Sequence, residues 1–211
     1  MTYLFDFDGT LVDSMHAYCR TMLRILDENN IVYPPDIMKI ITPLGYVDTA
    51  KYFVNKLGLL LPETEIHKKM YEYAINEYRY NIEAKANVAD TLKVLFERGH
   101  SLNILTASPH VMLDPCLERL GLVPLFDNVW SCEDFGTNKS DPDIYRMAAK
   151  KMGVAVGDVW FFDDNLNADK TAKAAGMRVC GVYDESSKDY EAQMRAVCDK
   201  YVRDFSQVLS V

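Results

Sequence analysis

Near its start the chain runs Phe5-Asp6-Phe7-Asp8-Gly9-Thr10, two carboxylates flanking one apolar residue and followed at once by a Gly-Thr turn. This run closes a short apolar segment, Thr2-Tyr3-Leu4-Phe5, that reads as a strand. Side chains two apart on a strand share a face, so Asp6 and Asp8 can face one point while Phe7 turns into the core. Gly9 lets the backbone bend away where a Cβ would clash. At ~5 Å and an effective dielectric of ~20, two such acids repel by roughly 3 kcal/mol unless a cation or a proton intervenes. A fold keeps such a repulsion where the charges are used.

Beyond that strand the pattern changes twice. From Ser14 to about Arg98 it is almost entirely helical, with Met22, Leu23, Ile25 and Leu26 at helical spacing, Pro34-Pro35 and Pro62 at segment starts, and Gly45 and Gly58 as punctuation. Tyr71, Tyr73, Tyr78 and Tyr80 fall in one of these segments and read as packing residues of an amphipathic helix. After Gly99, strands alternate with helices. Leu102–Leu105, Asn128–Ser131, Val159–Phe162 and Arg178–Val182 read as strands; Pro109–Leu120, Asp141–Met152 and Asn165–Ala175 read as helices, each followed by glycine. The expected fold is α/β: a Rossmann-like parallel sheet with helices on both faces, plus an all-helical cap inserted after the first strand. Residues 1–13 and 86–211 would form the core and 14–85 the cap.

Composition narrows the function. A chain of 211 residues with 49% hydrophobic content can bury one domain plus a smaller insertion. Its net charge of −8, from 23 basic and 31 acidic side chains, argues against a nucleic-acid or anionic-membrane surface. No apolar run approaches the roughly 18 residues of a membrane span, and no basic-then-apolar leader is visible at the N-terminus. Cys19, Cys116, Cys132, Cys180 and Cys198 form an odd, scattered set, which fits reduced residues of a cytoplasmic protein. Nothing in the sequence implies a partner protein.

Open parallel sheets bind ligands beyond the carboxyl ends of their strands. Four such ends carry unusual chemistry: Asp6 and Asp8; Thr106-Ala107-Ser108; the loop Asn138-Lys139-Ser140; and Asp163-Asp164-Asn165. Each has a local explanation. Ser108 before Pro109 reads as an ordinary helix N-cap, Asp163-Asp164 could cap the Asn165 helix, Asp13 or Ser14 could cap the first helix, and Lys139 alone would be a solvated lysine. His110 lies at the rim and reads as a bystander. Together, however, they gather acids, a hydroxyl and a lysine at one edge.

Phe5-Asp6-Phe7-Asp8-Gly9-Thr10-Leu11-Val12-Asp13-Ser14 closely resembles the first motif of the haloacid dehalogenase-like hydrolases. Thr106 resembles their second motif, Lys139 with Pro142-Asp143-Ile144-Tyr145 the third, and Phe161-Phe162-Asp163-Asp164-Asn165 running into Ala174-Ala175-Gly176-Met177 the fourth. The resemblance implies that Asp6 is the nucleophile of a phosphatase that passes through an aspartyl-phosphate, and that Asp8 is its general acid and base. It further implies that Mg²⁺ sits between Asp6, the backbone carbonyl of Asp8, and Asp164. Lys139, Thr106 and the backbone at Ala107 would hold the phosphoryl oxygens, with Asp163 behind them. A small phosphorylated metabolite would be the substrate.

The chain departs from that pattern in three places. Ser140 follows Lys139 where proline is usual; Ala168 stands where a further acid is usual, with Asp169 one step on; and Asp163 stands where glycine or an acid occurs. A sugar-phosphate mutase shares all four motifs and is the alternative within enzymes; the distinction lies in whether the cap excludes water long enough for the phosphoryl group to return to the sugar, and nothing in residues 14–85 decides it. Thr42 and Gly45-Tyr46 fall in a cap loop that could reach the substrate. A signalling receiver also phosphorylates an aspartate, but its acid pair precedes its acceptor, the reverse of the order here. A catalytically silent phosphate-binding protein would not need the full reactive set.

Overall fold

In the computed structural model, which describes residues 1–41 and 44–211, β1 (Thr2–Phe5) lies inside a six-stranded parallel sheet. The others are β2 (Ser101–Thr106), β3 (Asn128–Ser131), β4 (Val159–Asp163), β5 (Arg178–Val182) and β6 (Lys200–Val202), in the order β3-β2-β1-β4-β5-β6. Strand order reverses at β1, which pairs with β2 on one side and β4 on the other. Such a switch point opens a crevice beyond the strand ends. Register fixes what meets there. Phe5 lies level with Ile104 and Phe162, so the next residues, Asp6 and Asp163, stand side by side.

The strands read as apolar runs because both faces are covered. Leu4, Leu105, Phe161 and Val179 pack on one face against Ile144, Tyr145 and Ala148 of α7 (Pro142–Met152) and Ala172 of α8 (Leu166–Ala175). On the other, Tyr3, Phe5 and Phe162 stack their rings, Phe5 and Phe162 with centroids 4.8 Å apart. Both helices start on side-chain caps: Asp141 accepts from the Asp143 N–H, and Asn165 from those of Asn167 and Ala168. Helix α8 is thus capped by Asn165 itself, not by the acids before it. Strand β6 is an addition to the expected set, as is α9 (Glu191–Val197) before it.

The chain divides into two units, Met1–Asp13 with Glu83–Val211, and Ser14–Ile82. Residues 83–85, expected within the helical insertion, belong to the α/β unit: the Asp13 N–H donates to the Glu83 carbonyl and the Lys85 N–H to that of Leu11. The second unit is helical. It contains α1 (Met15–Glu28), α2 (Ile37–Ile41), α3 (Gly45–Leu57) and α4 (Glu63–Tyr80). Met22, Ile25 and Leu26 of α1 share a core with Ile37, Ile41, Phe53, Ile66 and Met70. Ser14 stands at the N-cap of α1, yet its hydroxyl makes no capping bond. Of the tyrosines on α4, Tyr73 packs on that core while Tyr71 and Tyr80 are exposed. Thr42 lies outside the described residues, and Gly45 opens α3. No described helix is long and apolar enough to cross a membrane.

Because the Phe162 ring is fully buried between Phe5 and Tyr3, Phe162→Ala should destabilise the α/β unit by about 3–5 kcal/mol. Urea unfolding followed by near-ultraviolet circular dichroism measures this; a loss below about 1 kcal/mol would contradict the packing described.

Candidate active site

Past β1 the Asp6 N–H continues the sheet ladder to the Phe162 carbonyl at 2.8 Å. The chain then turns back on itself, with the Leu11 N–H on the Phe7 carbonyl (2.9 Å) and the Gly9 N–H on that of Val12 (3.0 Å). Gly9 has φ +74°, and a Cβ there would lie 2.5 Å from Asp164 Oδ2. Only glycine therefore lets this turn lie against the Asp164 carboxylate. The buried Thr10 hydroxyl donates to Asp164 Oδ1 at 3.1 Å, a second tie between the turn and the end of β4.

Lys139 enters from the loop between β3 and α7, where the Tyr145 hydroxyl contacts its backbone carbonyl at 3.1 Å. Its ammonium donates to Asp6 Oδ1, and to Asp163 Oδ2 at 2.8 Å. Asp163 Oδ1 accepts from the Asn165 N–H at 2.8 Å, so both oxygens of this wholly buried acid are engaged in holding Lys139 and the start of α8. The ligand oxygens of Asp6, Asp163 and Asp164 all lie within 4.8 Å of one another.

Electrostatics mark this cluster as short of positive charge. Burial drives the Asp6 carboxyl up to about 8; Lys139 opposes the shift, but the neighbouring Asp163 and Asp8 charges reinforce it. Burial, then Asp163 and Asp6, likewise raise Asp164 well above the usual carboxylate range. Burial alone would lower the Lys139 ammonium, yet Asp163 and Asp6 hold it well above its ordinary value, so it stays charged. One ammonium among three buried acids leaves room for a divalent cation. Asp163 has both oxygens engaged, by Lys139 and by the Asn165 N–H, whereas Lys139 meets only one oxygen of Asp6; Asp6 and Asp164 are therefore the carboxylates that suit one, through hard oxygen ligands.

Asp8 is directed elsewhere. Its Oδ2 accepts from the Ser108 hydroxyl at 2.5 Å and from the Thr106 hydroxyl at 3.4 Å. Ser108 is thus no helix cap: α6 (His110–Arg119) starts from Pro109, and the Ser108 side chain turns to Asp8. Thr106 also accepts from the Ser108 N–H at 3.1 Å, and Ala107 is exposed between them. The strand end of β2 therefore presents hydroxyls beside Asp8, while Lys139 and Asp164 flank Asp6. Ser108 gave a misleading signal in sequence, since a serine before proline is a common cap pair.

Asp169 is buried but lies outside the three-acid cluster. Its Oδ2 accepts from the Cys198 thiol at 3.1 Å, its Oδ1 has no partner, and burial pushes its carboxyl up to about 8. The helix turn from Ala168 to Asp169 rotates the side chain by about 100°, away from the strand end. Lys85 carries no signal in the sequence, yet its ammonium binds the carbonyl of Gly9, inside the turn that carries the first acids.

Residues 3–182 match the family model of the haloacid dehalogenase-like hydrolases. A phosphoglycolate phosphatase from Haemophilus influenzae is 27% identical, the alignment covering 98% of this chain and 96% of that protein. The pyrophosphatase PpaX of Bacillus pumilus is 26% identical over 100% of this chain and 95% of its own length. Among solved structures, a candidate beta-phosphoglucomutase from Thermotoga maritima superposes with a TM-score of 0.88 at 21% identity, covering 99% of this chain and 96% of that one. The likeness to that structure carries the fold.

Outside the cluster, His110 is pinned on both ring nitrogens, Nδ1 by Asp114 at 2.9 Å and Nε2 by Asp134 at 2.8 Å. These bonds raise its pKa above the ordinary value. A histidine raised in the folded state stabilises below its unfolded pKa, and that contribution is lost as pH rises through the folded value. The melting temperature gap between the unsubstituted chain and His110→Gln should therefore be wider near pH ~6 than near pH ~9. Equal gaps would show that the two carboxylates do not act on a charged imidazole.

Proposed function

This chain belongs to the haloacid dehalogenase-like hydrolases, and we propose that within them it is a Mg²⁺-dependent phosphatase of small phosphomonoesters, with Asp6 as nucleophile. The observation that carries the reading is the contact of Lys139 with Asp6 at the switch point, beside Asp164 and across from Asp8. Two full-length relatives bear phosphatase names, a phosphoglycolate phosphatase and a pyrophosphatase. Those names give the substrate class, phosphate groups on small molecules, and leave the particular ester to experiment.

The residues fit the following roles. A carboxylate oxygen of Asp6 attacks phosphorus; the new O–P bond forms as the ester P–O bond breaks, and Asp8 delivers its proton to the departing alkoxide. Asp8 then takes a proton from water, whose oxygen attacks the aspartyl-phosphate, returning Asp6 and releasing inorganic phosphate. Ser108 holds the Asp8 carboxylate in place for both transfers, which frees the Thr106 hydroxyl to leave its longer 3.4 Å contact with Asp8 when a phosphoryl group is bound. Lys139 carries a fixed positive charge to the phosphoryl oxygens, and the Thr106 hydroxyl and the backbone at Ala107 supply further donors. Asp163 keeps Lys139 in position. Asp6 and Asp164, with backbone oxygen of Asp8, would hold Mg²⁺, which supplies charge that keeps Asp6 ionised and offsets the repulsion between carboxylate and phosphate.

We assign the inserted helical unit, Ser14–Ile82, the role of a cap that selects among substrates. A reducing cytoplasm suits the cysteines, all five of them free and three of them buried.

On an aryl phosphate, Asp6→Asn should lower turnover by at least about 10³-fold while leaving the circular dichroism spectrum unchanged. Turnover by the folded variant within tenfold of the unsubstituted chain would remove Asp6 from the nucleophile role. Excess EDTA should reduce the rate by at least about 10²-fold, with recovery on adding Mg²⁺; a rate indifferent to chelation would remove the metal. A panel of metabolite phosphates, read for both free phosphate and isomerised product, identifies the substrate and separates hydrolysis from phosphoryl return.

A further inference from the structure

Lys85 is a second, largely buried lysine near the reactive strand ends, and the roles assigned above do not use it. It follows Ala84, which bridges to Val12 just past the first-motif turn. Its backbone is fixed there by the bond from its N–H to the Leu11 carbonyl at 2.9 Å. Its ammonium meets three oxygens: the Gly9 carbonyl at 2.5 Å, the Tyr183 carbonyl at 2.7 Å and Asp184 Oδ2 at 3.0 Å. An ammonium has three protons, and three acceptors use them all. Lys85 is thus committed to the scaffold, unlike Lys139, whose partners are the Asp6 and Asp163 carboxylates.

The first of those oxygens matters most. Gly9 packs directly on the Asp164 carboxylate, so closely that a Cβ would sit 2.5–2.8 Å from its atoms. The next residue, Thr10, donates to Asp164 Oδ1. Where the Gly9-Thr10 backbone lies therefore sets how the Asp164 carboxylate points, and Lys85 anchors that backbone to the loop after β5. Asp184 is itself fixed, its Oδ1 accepting from the Ser186 N–H at 2.9 Å and from the Ser186 hydroxyl at 2.6 Å. The Lys85–Asp184 pair adds no net charge, so its contribution is one of geometry.

We propose that Lys85 is a positioning residue for the metal site: by clamping the Gly9 carbonyl against the β5 loop, it holds the Asp164 carboxylate in the orientation that binds Mg²⁺. This rests on the reading of Asp6 and Asp164 as the metal carboxylates. Groups that orient a metal ligand from behind are commonly worth about 10–100-fold in metal affinity.

The test is Mg²⁺ binding by isothermal titration calorimetry, with no substrate present. Lys85→Met combined with Asp184→Asn removes the clamp without changing net charge, and should weaken Mg²⁺ binding about tenfold or more. Asp184→Asn alone keeps Lys85 on both carbonyls and should stay within about threefold. In turnover assays the double variant should need more Mg²⁺ for half-maximal rate, regain kcat at high Mg²⁺, and keep its KM for aryl phosphate. A merely structural role would not produce that rescue. Should the double variant fail to fold, Lys85→Gln with Asp184→Asn is judged by the same thresholds, since the shorter amide cannot span both carbonyls. Mg²⁺ affinity within twofold of the unsubstituted chain overturns the role of Lys85. Undetectable Mg²⁺ binding by the unsubstituted chain itself overturns the metal assignment, and this inference with it.

Discussion

A buried ammonium shared by two buried carboxylates organises this chain. Lys139 binds Asp6 at the end of β1 and Asp163 at the end of β4, and all three side chains are nearly withdrawn from water. Moving such charges out of water costs several kcal/mol each, and mutual attraction repays it only when the remaining polar atoms also find partners. Here Asp163 finds the start of α8, the Lys139 backbone finds Tyr145, and Asp164 finds Thr10. The partners come from strand ends, helix starts and a loop, so the sheet must be in register before any of them is satisfied. Removing one member would leave a buried charge without its counterpart, which is why the cluster is a rigid feature of the α/β unit.

That rigidity explains a division of labour between two lysines. Lys139 faces the buried Asp6 and Asp163 carboxylates and keeps its charge between them. Lys85 satisfies backbone carbonyls and a capping aspartate, and so stabilises the path of the chain. A similar division separates the acids. Asp6 and Asp164 sit where charge is short, Asp163 serves Lys139, and Asp169 pairs with a thiol deep in the fold. Residue type alone does not assign these tasks; depth and partner do.

Much of this was legible in the chain itself. The apolar runs of β1, β2, β4 and β5 announced buried parallel strands, and the Asp141-Pro142 and Asn165 starts announced helices. Lys200-Tyr201-Val202 did not, because three residues are too few to show a pattern. The carboxylates, Thr106 and Lys139 were legible because several reactive types fell at strand ends in a specific order. Ser108 reads as a cap but bonds to Asp8, since a local cap and a long-range bond can use the same residue. Lys85 and Asp184 left no trace at all. Their bonds join positions 76 to 99 residues apart, and a lysine between two alanines has no periodicity to betray it.

The sequence by itself determined the alternation of strands and helices, the place of the helical insertion, and which reactive side chains stand at strand ends, because hydrophobic period and turn chemistry are local properties. Only the tertiary structure decided which acid meets which cation. Parallel pairing sets Asp6 level with Asp163, and the turn at Gly9 lays Thr10 on Asp164. Those pairings depend on distances between segments far apart in the chain, and such distances exist only once the sheet has closed in register.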